Sequence, residues 1–250
     1  MRYVAIGDSF TEGVGDELAD GTLRGWADLV AQGIAASTGE SVEYANLAIR
    51  GRLLGSIVGE QLEPALALKP TMITLSGGGN DILRPGSDLA ALTALIEQVI
   101  DRCAAEGVRL VLLSGGNPTG QLPSGARVRD LGDRYTQLVS ALAAKRGLVY
   151  VNNWTDTLLA QPQYWSADRL HLNAAGHHRI AARVLDRIGF AFPSEWMTPQ
   201  LTSPPPPSFG ANVVYYRRHV LPWLVQRATG RSSGDGRSAK YAEWQLVEPG

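Results

Sequence analysis

The sequence has a single cysteine, Cys103, among its 250 residues, so no disulfide can form within the chain. Cys103 has no metal-ligand spacing around it. Its neighbours Ile100, Ala104 and Ala105 point to a helix facing the core, and therefore to a buried, inert thiol. An excess of charge of one sign is also missing: 23 Lys and Arg stand against 24 Asp and Glu, for a net charge of −1. Such a balance gives no field to draw nucleic acid or an anionic membrane. The densest basic stretch, Arg217, Arg218 and His219, is too short for a nucleic-acid footprint. Long hydrophobic runs are absent too, and no stretch approaches the roughly 18 apolar residues of a membrane span. The apolar run Tyr3–Ile6 is shorter than the core of a secretion signal, with no small-residue cleavage site after it. The expectation is a soluble, cytoplasmic protein without a nucleic-acid partner.

What is present is a regular alternation. Hydrophobic residues make up 44% of the chain, enough for one large core or two small ones. Short apolar runs at Tyr3–Ile6, Val42–Leu47, Thr71–Leu75, Arg109–Leu113 and Leu148–Val151 suit strands buried on both faces. Amphipathic patterns lie between and after them, at Trp26–Ser37, Leu53–Ala67, Asp88–Ala105, Arg127–Lys145 and Ala174–Ile188. This rhythm predicts an α/β domain with a five-stranded parallel sheet and helices on both sides. In such folds ligands bind beyond the carboxyl ends of the strands. The segments that follow the first three strands (Gly7–Gly15, Ala48–Gly51 and Gly77–Asp81) are rich in Gly, Ser and Asn, and are predicted to meet at one sheet edge.

Beyond Phe192 the composition changes. Pro199 and Pro204–Pro207 predict a stiff extended segment. Asn212–Arg227 is amphipathic, with Pro222 set to kink any helix there. Residues 1–192 are thus expected to form the domain and 193–250 a Pro-rich segment and C-terminal arm. Tyr215, Tyr216, Trp223 and Trp244 are costly to leave in water, so the arm is expected to pack on the body or on a second copy in a homo-oligomer.

The chemistry-bearing residues fall in the polar loops. Ser9, in Gly7-Asp8-Ser9-Phe10-Thr11-Glu12-Gly13, sits where backbone N–H groups can stabilise an oxyanion or bind a phosphate. The Gly-Lys-Ser/Thr of a phosphate loop is missing, and the second strand does not end in a ribose-binding acid, which weighs against a nucleotide. A serine hydroxyl needs an adjacent base. Of four histidines, His171 alone pairs a loop setting with a nearby acid, Asp168, three residues earlier. A carboxylate there fixes the imidazole tautomer and stabilises the imidazolium. His177 and His178 fall inside the following helix, where capping or surface roles are expected, and His219 belongs to the tail. Asn80, in Ser76-Gly77-Gly78-Gly79-Asn80-Asp81, and the backbone of Gly51 are further candidate donors. Each has a plain alternative, since Ser, Asp, Asn and Gly fill caps and turns everywhere.

Taken in this order, Ser9, Gly51, Asn80 and His171 resemble the SGNH hydrolases, also called GDSL esterases/lipases. The Gly-Asp-Ser near the N-terminus, Gly51, the Gly-x-Asn-Asp of Gly78–Asp81 and the Asp-x-x-His of Asp168–His171 carry the resemblance, which spans residues 3 to about 188. One departure is Phe10, where the family name implies Leu, an apolar exchange behind the nucleophile. The resemblance implies a three-layer α/β/α, flavodoxin-like domain and an open site without the Gly-x-Ser-x-Gly elbow of α/β-hydrolases. It also implies Ser9 as nucleophile, Asp168 and His171 as the acid–base pair, and an oxyanion hole from Ser9, Gly51 and Asn80. Asp8 and Asp81 are expected to brace their loops. No metal or organic cofactor is called for.

The substrate is less legible. A small or medium acyl ester is expected because no long apolar lid is visible, yet carboxylesterase, carbohydrate deacetylase, lysophospholipase and thioesterase are not separable. Arg50 and Arg52 flank Gly51, either to favour an anionic substrate or simply paired with acids. Trp26, Trp154, Trp165 and the Gly115–Gly125 loop are candidate walls of a cleft, with core packing the alternative for the tryptophans. A different class of function is a catalytically silent module of the same fold that binds an acylated ligand.

Overall fold

The computed structural model describes residues 1–120, 125–199, 215, 217 and 232–250. Pro204–Pro207 and, apart from Tyr215 and Arg217, the expected Asn212–Arg227 helix lie outside the described residues. Six strands form one sheet: β1 (Arg2–Gly7), β2 (Val42–Asn46), β3 (Met72–Ser76), β4 (Arg109–Leu113), β5 (Val149–Val151) and β6 (Tyr241–Val247). Their spatial order is β5-β4-β3-β1-β2-β6, with the first five parallel and β6 antiparallel to β2. The five expected strands are therefore present, but the sheet has six. The sixth comes from the segment read as an arm, where Tyr241, Trp244 and Val247 are only half-buried. Its burial does not alternate: Tyr241 and Val247 pack on the second core, Trp244 on the first, and the residues between them are exposed, as suits a strand at the sheet edge.

The helices are α1 (Ser9–Glu12), α2 (Trp26–Thr38), α3 (Leu54–Ala67), α4 (Gly79–Ile82), α5 (Leu89–Ala105), α6 (Gly125–Lys145), α7 (Ala174–Ile188) and α8 (Ser194–Met197). Side chains alternate across each strand. Val4, Ile6, Ile73, Leu75, Leu110 and Leu112 face a core shared with α3, α5 and α6. Tyr3, Ala5, Met72, Val111 and Leu113 face a second core with α2 and α7. The result is the expected three-layer α/β/α arrangement. Cys103 lies buried in the first core. No helix among the described residues is long and apolar enough to cross a membrane.

The topology creates the site. The chain leaves β1 to one side for β2, then crosses back so that β3 pairs with β1 on its other side. Loops leaving β1 and β3 diverge at such a switch point, and a crevice opens between them. The Ser9 turn and the Gly77–Asn80 turn flank it.

Candidate active site

Ser9 opens α1 directly after β1. Asp8 caps this short helix, its Oδ1 accepting from the N–H of Phe10 at 3.1 Å. Gly13 ends it in the left-handed region (φ 98°), where only glycine is unstrained. The serine is thus held on one rigid turn with the N–H groups of a helix start nearby. Phe10 packs against Trp26 and His177, with ring centroids 5.6 and 6.2 Å away.

On the opposite wall, residues 165–172 form a tight loop closed by the Trp165–Leu172 bridge and by Ser166 N–H donating to the His171 carbonyl at 2.8 Å. Asp168 folds back inside it. Its Oδ1 accepts from Ser166 Oγ (2.7 Å), Leu170 N–H (2.9 Å) and His171 N–H (2.9 Å). Its Oδ2 lies 2.6 Å from His171 Nδ1, and His171 Nε2 lies 2.9 Å from Ser9 Oγ. With Nδ1–H directed at a carboxylate, Nε2 is left to accept from the serine hydroxyl. Burial raises the Asp168 pKa, but the hydrogen bond and charge of His171 and the two backbone N–H groups outweigh it. The net effect holds the carboxyl well below its ordinary value.

Asn80 stands in α4, after β3. Its Nδ2 donates to Asp8 Oδ2 (3.2 Å) and to the Arg52 carbonyl (3.0 Å), so both hydrogens are engaged. Asp8 and Asp81 do brace the loops. Asp8 holds Phe10 and Asn80, while Asp81 Oδ2 accepts from Leu54 N–H at 3.0 Å and so caps α3, whose own N-cap, Leu53, has no capping side chain. Burial pushes the Asp8 carboxyl up to about 6 despite the Phe10 hydrogen bond and the nearby His171.

Gly51 occupies a left-handed position (φ 75°) on the loop after β2. The loop is tied to the serine turn through Glu12, which takes Arg50 N–H at 2.7 Å and the Arg50 guanidinium at 2.5 Å. Arg52 pairs with Glu60 at 3.0 Å. Both arginines are therefore paired with acids.

The cleft, of about 110 Å3, is lined by the half-buried Ser9, Asn80 and His171 and by the buried Ile82, Val128, Tyr135, Thr136 and Trp154. Gly51 is not among the lining residues. Of the three candidate tryptophans, Trp154 and Trp165 line it, whereas Trp26 is fully buried in the second core. Gly115, Gly116 and Pro118 contribute from the loop after β4; residues 121–124 of that loop lie outside the described residues. The α6 residues Val128, Tyr135 and Thr136 were not singled out from sequence, because their spacing reads simply as a core-facing stripe. His177 also departs from expectation. It has no exposed surface, accepts from Trp26 N–H at Nδ1 (3.2 Å) and donates from Nε2 to the Val14 carbonyl (3.3 Å). It is an internal tie, placed by α2 packing against α7, which a single helix pattern cannot reveal. Among the described residues no group of three or more His, Cys, Asp or Glu side chains is arranged to hold a metal ion.

A family model described as GDSL-like lipase/acylhydrolase matches residues 5–179. The chain belongs to this family. Among solved structures, Axe2, an acetylxylan esterase from Geobacillus stearothermophilus, superposes with a TM-score of 0.64 at 20% identity, over 80% of this chain and 97% of that one. The lipase Lip_vut3 from a goat rumen metagenome gives 0.63 at 18% identity, over 75% and 97% of the two chains. The psychrotrophic esterase EstA from Pseudoalteromonas sp. gives 0.58 at 17%, over 75% and 96%. At these identities the likeness is one of fold. No curated protein sequence matches the chain. Membership of the GDSL-like lipase/acylhydrolase family supports ester hydrolysis as the class of reaction.

Proposed function

We propose that the protein hydrolyses small or medium acyl esters through an acyl-enzyme on Ser9. The observation carrying this reading is the line from Asp168 through His171 to Ser9, with links of 2.6 and 2.9 Å. Ser9 Oγ attacks the acyl carbonyl carbon and passes its proton to His171 Nε2, while Asp168 stabilises the imidazolium. The oxyanion is held by the backbone N–H groups of Ser9 and Gly51 and by Asn80 Nδ2. As the intermediate collapses, His171 protonates the leaving alcohol. Water then attacks the acyl-enzyme with His171 again as base, which releases the acid and frees Ser9. Variants of Axe2 described as catalytic mutants alter a serine and a histidine, which supports the same pair of residue types here. No cofactor enters these steps.

The small cleft, of about 110 Å3 with the buried Tyr135, Thr136 and Trp154 among its walls, supports a short acyl chain. Labelling with a fluorophosphonate probe tests the reaction. Wild type takes the label and Ser9→Ala does not; a wild type that stays unlabelled favours a silent acyl-binding module instead. A panel of p-nitrophenyl esters tests the chain length, and a peak at long chains rejects the short-acyl reading.

A further inference from the structure

We infer that the C-terminal turn around Ser232–Gly236 is a positioning element of the active site, pressed against the back of the oxyanion-donating peptide. This rests on Gly51 being an oxyanion donor, as proposed above. The turn lies far outside the segment matched by the family model, residues 5–179, and nothing in the chemistry of the motif calls for it.

Ser232 Oγ donates to the Gly51 carbonyl at 3.2 Å. A Cβ on Gly51 would meet Ser232 Oγ at 2.3 Å and Ser233 Oγ at 2.8 Å. Gly234 sits against the preceding peptide, where a Cβ would come within 2.1 Å of the Arg50 carbonyl oxygen. That carbonyl and the Gly51 N–H are opposite ends of one planar peptide, and in the trans form they point in opposite directions; there is no cis bond among the described residues. Gly234 is therefore on the side away from the donated N–H, and whatever fixes the Arg50 carbonyl fixes the direction of the donor.

The turn is in turn anchored. Asp235 Oδ2 accepts from Ser232 N–H at 2.8 Å. Following the turn, Lys240 forms a 2.7 Å ion pair with Asp28, both nearly buried, and Asp28 also accepts from the Gly25 N–H that opens α2. β6 then pairs with β2, the strand whose end leads into the Gly51 loop. From the front, Glu12 holds Arg50 by its N–H and its guanidinium. The donor peptide is thus clamped between the serine helix and the C-terminal turn. An oxyanion donor is effective in proportion to its preorganisation, which gives the chain a physical reason to place a glycine at 234.

Gly234→Ala is a suitable probe, because Gly234 has no left-handed φ and the added methyl meets the Arg50 carbonyl oxygen first (2.1 Å), with Ile49 Cγ2 next at 3.0 Å. Gly107→Ala is its control: Gly107, between α5 and β4 toward the opposite edge of the sheet, has φ 66° and no atom within 4 Å, so this variant adds a strained methyl away from the Arg50–Gly51 peptide. With p-nitrophenyl acetate, Gly234→Ala is expected to lose about tenfold in kcat with KM within about twofold, and to label with fluorophosphonate about tenfold more slowly. Gly107→Ala keeps both rates within about twofold. Equal losses in the two variants, or an unchanged kcat in Gly234→Ala, overturn the inference. If Gly234→Ala does not fold, Ser232→Ala decides: slower labelling supports the clamp, and an unchanged rate refutes it. A wild type inert toward both reagents would instead refute the Ser9 reaction itself.

Discussion

Replacing Asp168 by Asn exchanges one carboxylate oxygen for an NH2 group and leaves the shape of the side chain unchanged. The structure dictates which oxygen is exchanged. Oδ1 accepts three donors, of which Leu170 N–H and His171 N–H cannot turn away. The amide oxygen must take that place, and the NH2 then faces His171 Nδ1, 2.6 Å from Oδ2 in the native chain. A donor there forces Nδ1 to accept, which moves the ring proton to Nε2. His171 then presents an N–H to Ser9 Oγ and can no longer take its proton. Wrong-tautomer histidine in this arrangement costs about 10^4 in kcat, or about 5.5 kcal/mol of transition-state stabilisation. Asp168→Ala, although it removes more atoms, is expected to lose no more than Asp168→Asn. The assay is kcat for p-nitrophenyl acetate on folded variants, with the His171 tautomer read by nitrogen NMR. An Asp168→Asn enzyme that keeps more than about a tenth of wild-type kcat refutes the tautomer reasoning.

The buried Asp8 and His177 make opposed contributions to stability against pH. Burial raises Asp8 to about 6, so its contribution is full below the ordinary Asp value and is lost as pH rises through about 6. Burial lowers His177 to about 4, so its contribution is full above the ordinary His value and is lost as pH falls toward about 4. Urea unfolding of His177→Gln is expected to expose the Asp8 slope, a loss of about 2 kcal/mol from pH 4 to pH 7; Asp8→Asn exposes the reverse slope. Flat profiles in both variants contradict the assignment. In the cleft, Tyr135→Leu shortens a wall residue. It is expected to raise hexanoyl over acetyl p-nitrophenyl ester turnover by about tenfold, and an unchanged ratio removes Tyr135 from chain-length selection.

Particular elements show how far the sequence was legible. The five buried strands declared themselves because strands covered on both faces must be almost continuously apolar. α5 and α7 matched expectation to within a residue, helped at their starts by Asp88 and Asn173, which cap them. β6 escaped because most of its residues are exposed, leaving neither a continuous apolar run nor a clean alternation, and its pairing partner, β2, lies about two hundred residues earlier. Ser9, Asn80, Asp168 and His171 could be picked out because each is a polar residue in a glycine-bearing or helix-entry loop whose type suits one chemical task. Arg50 and Arg52 stayed ambiguous, since only a folded chain brings Glu12 and Glu60 to them.

The sequence by itself determined the layered α/β architecture, because periodicity and loop composition are local properties written residue by residue. It also singled out the residue types proposed for acyl transfer. Tertiary structure alone decided the distances that join Ser9, His171 and Asp168, the internal tie made by His177 and the size of the cleft under Tyr135. It alone set the C-terminal turn against Arg50 and Gly51. Each of these is a contact between segments far apart in the chain, fixed by the crossover of the sheet and by packing between layers, and no local pattern encodes it.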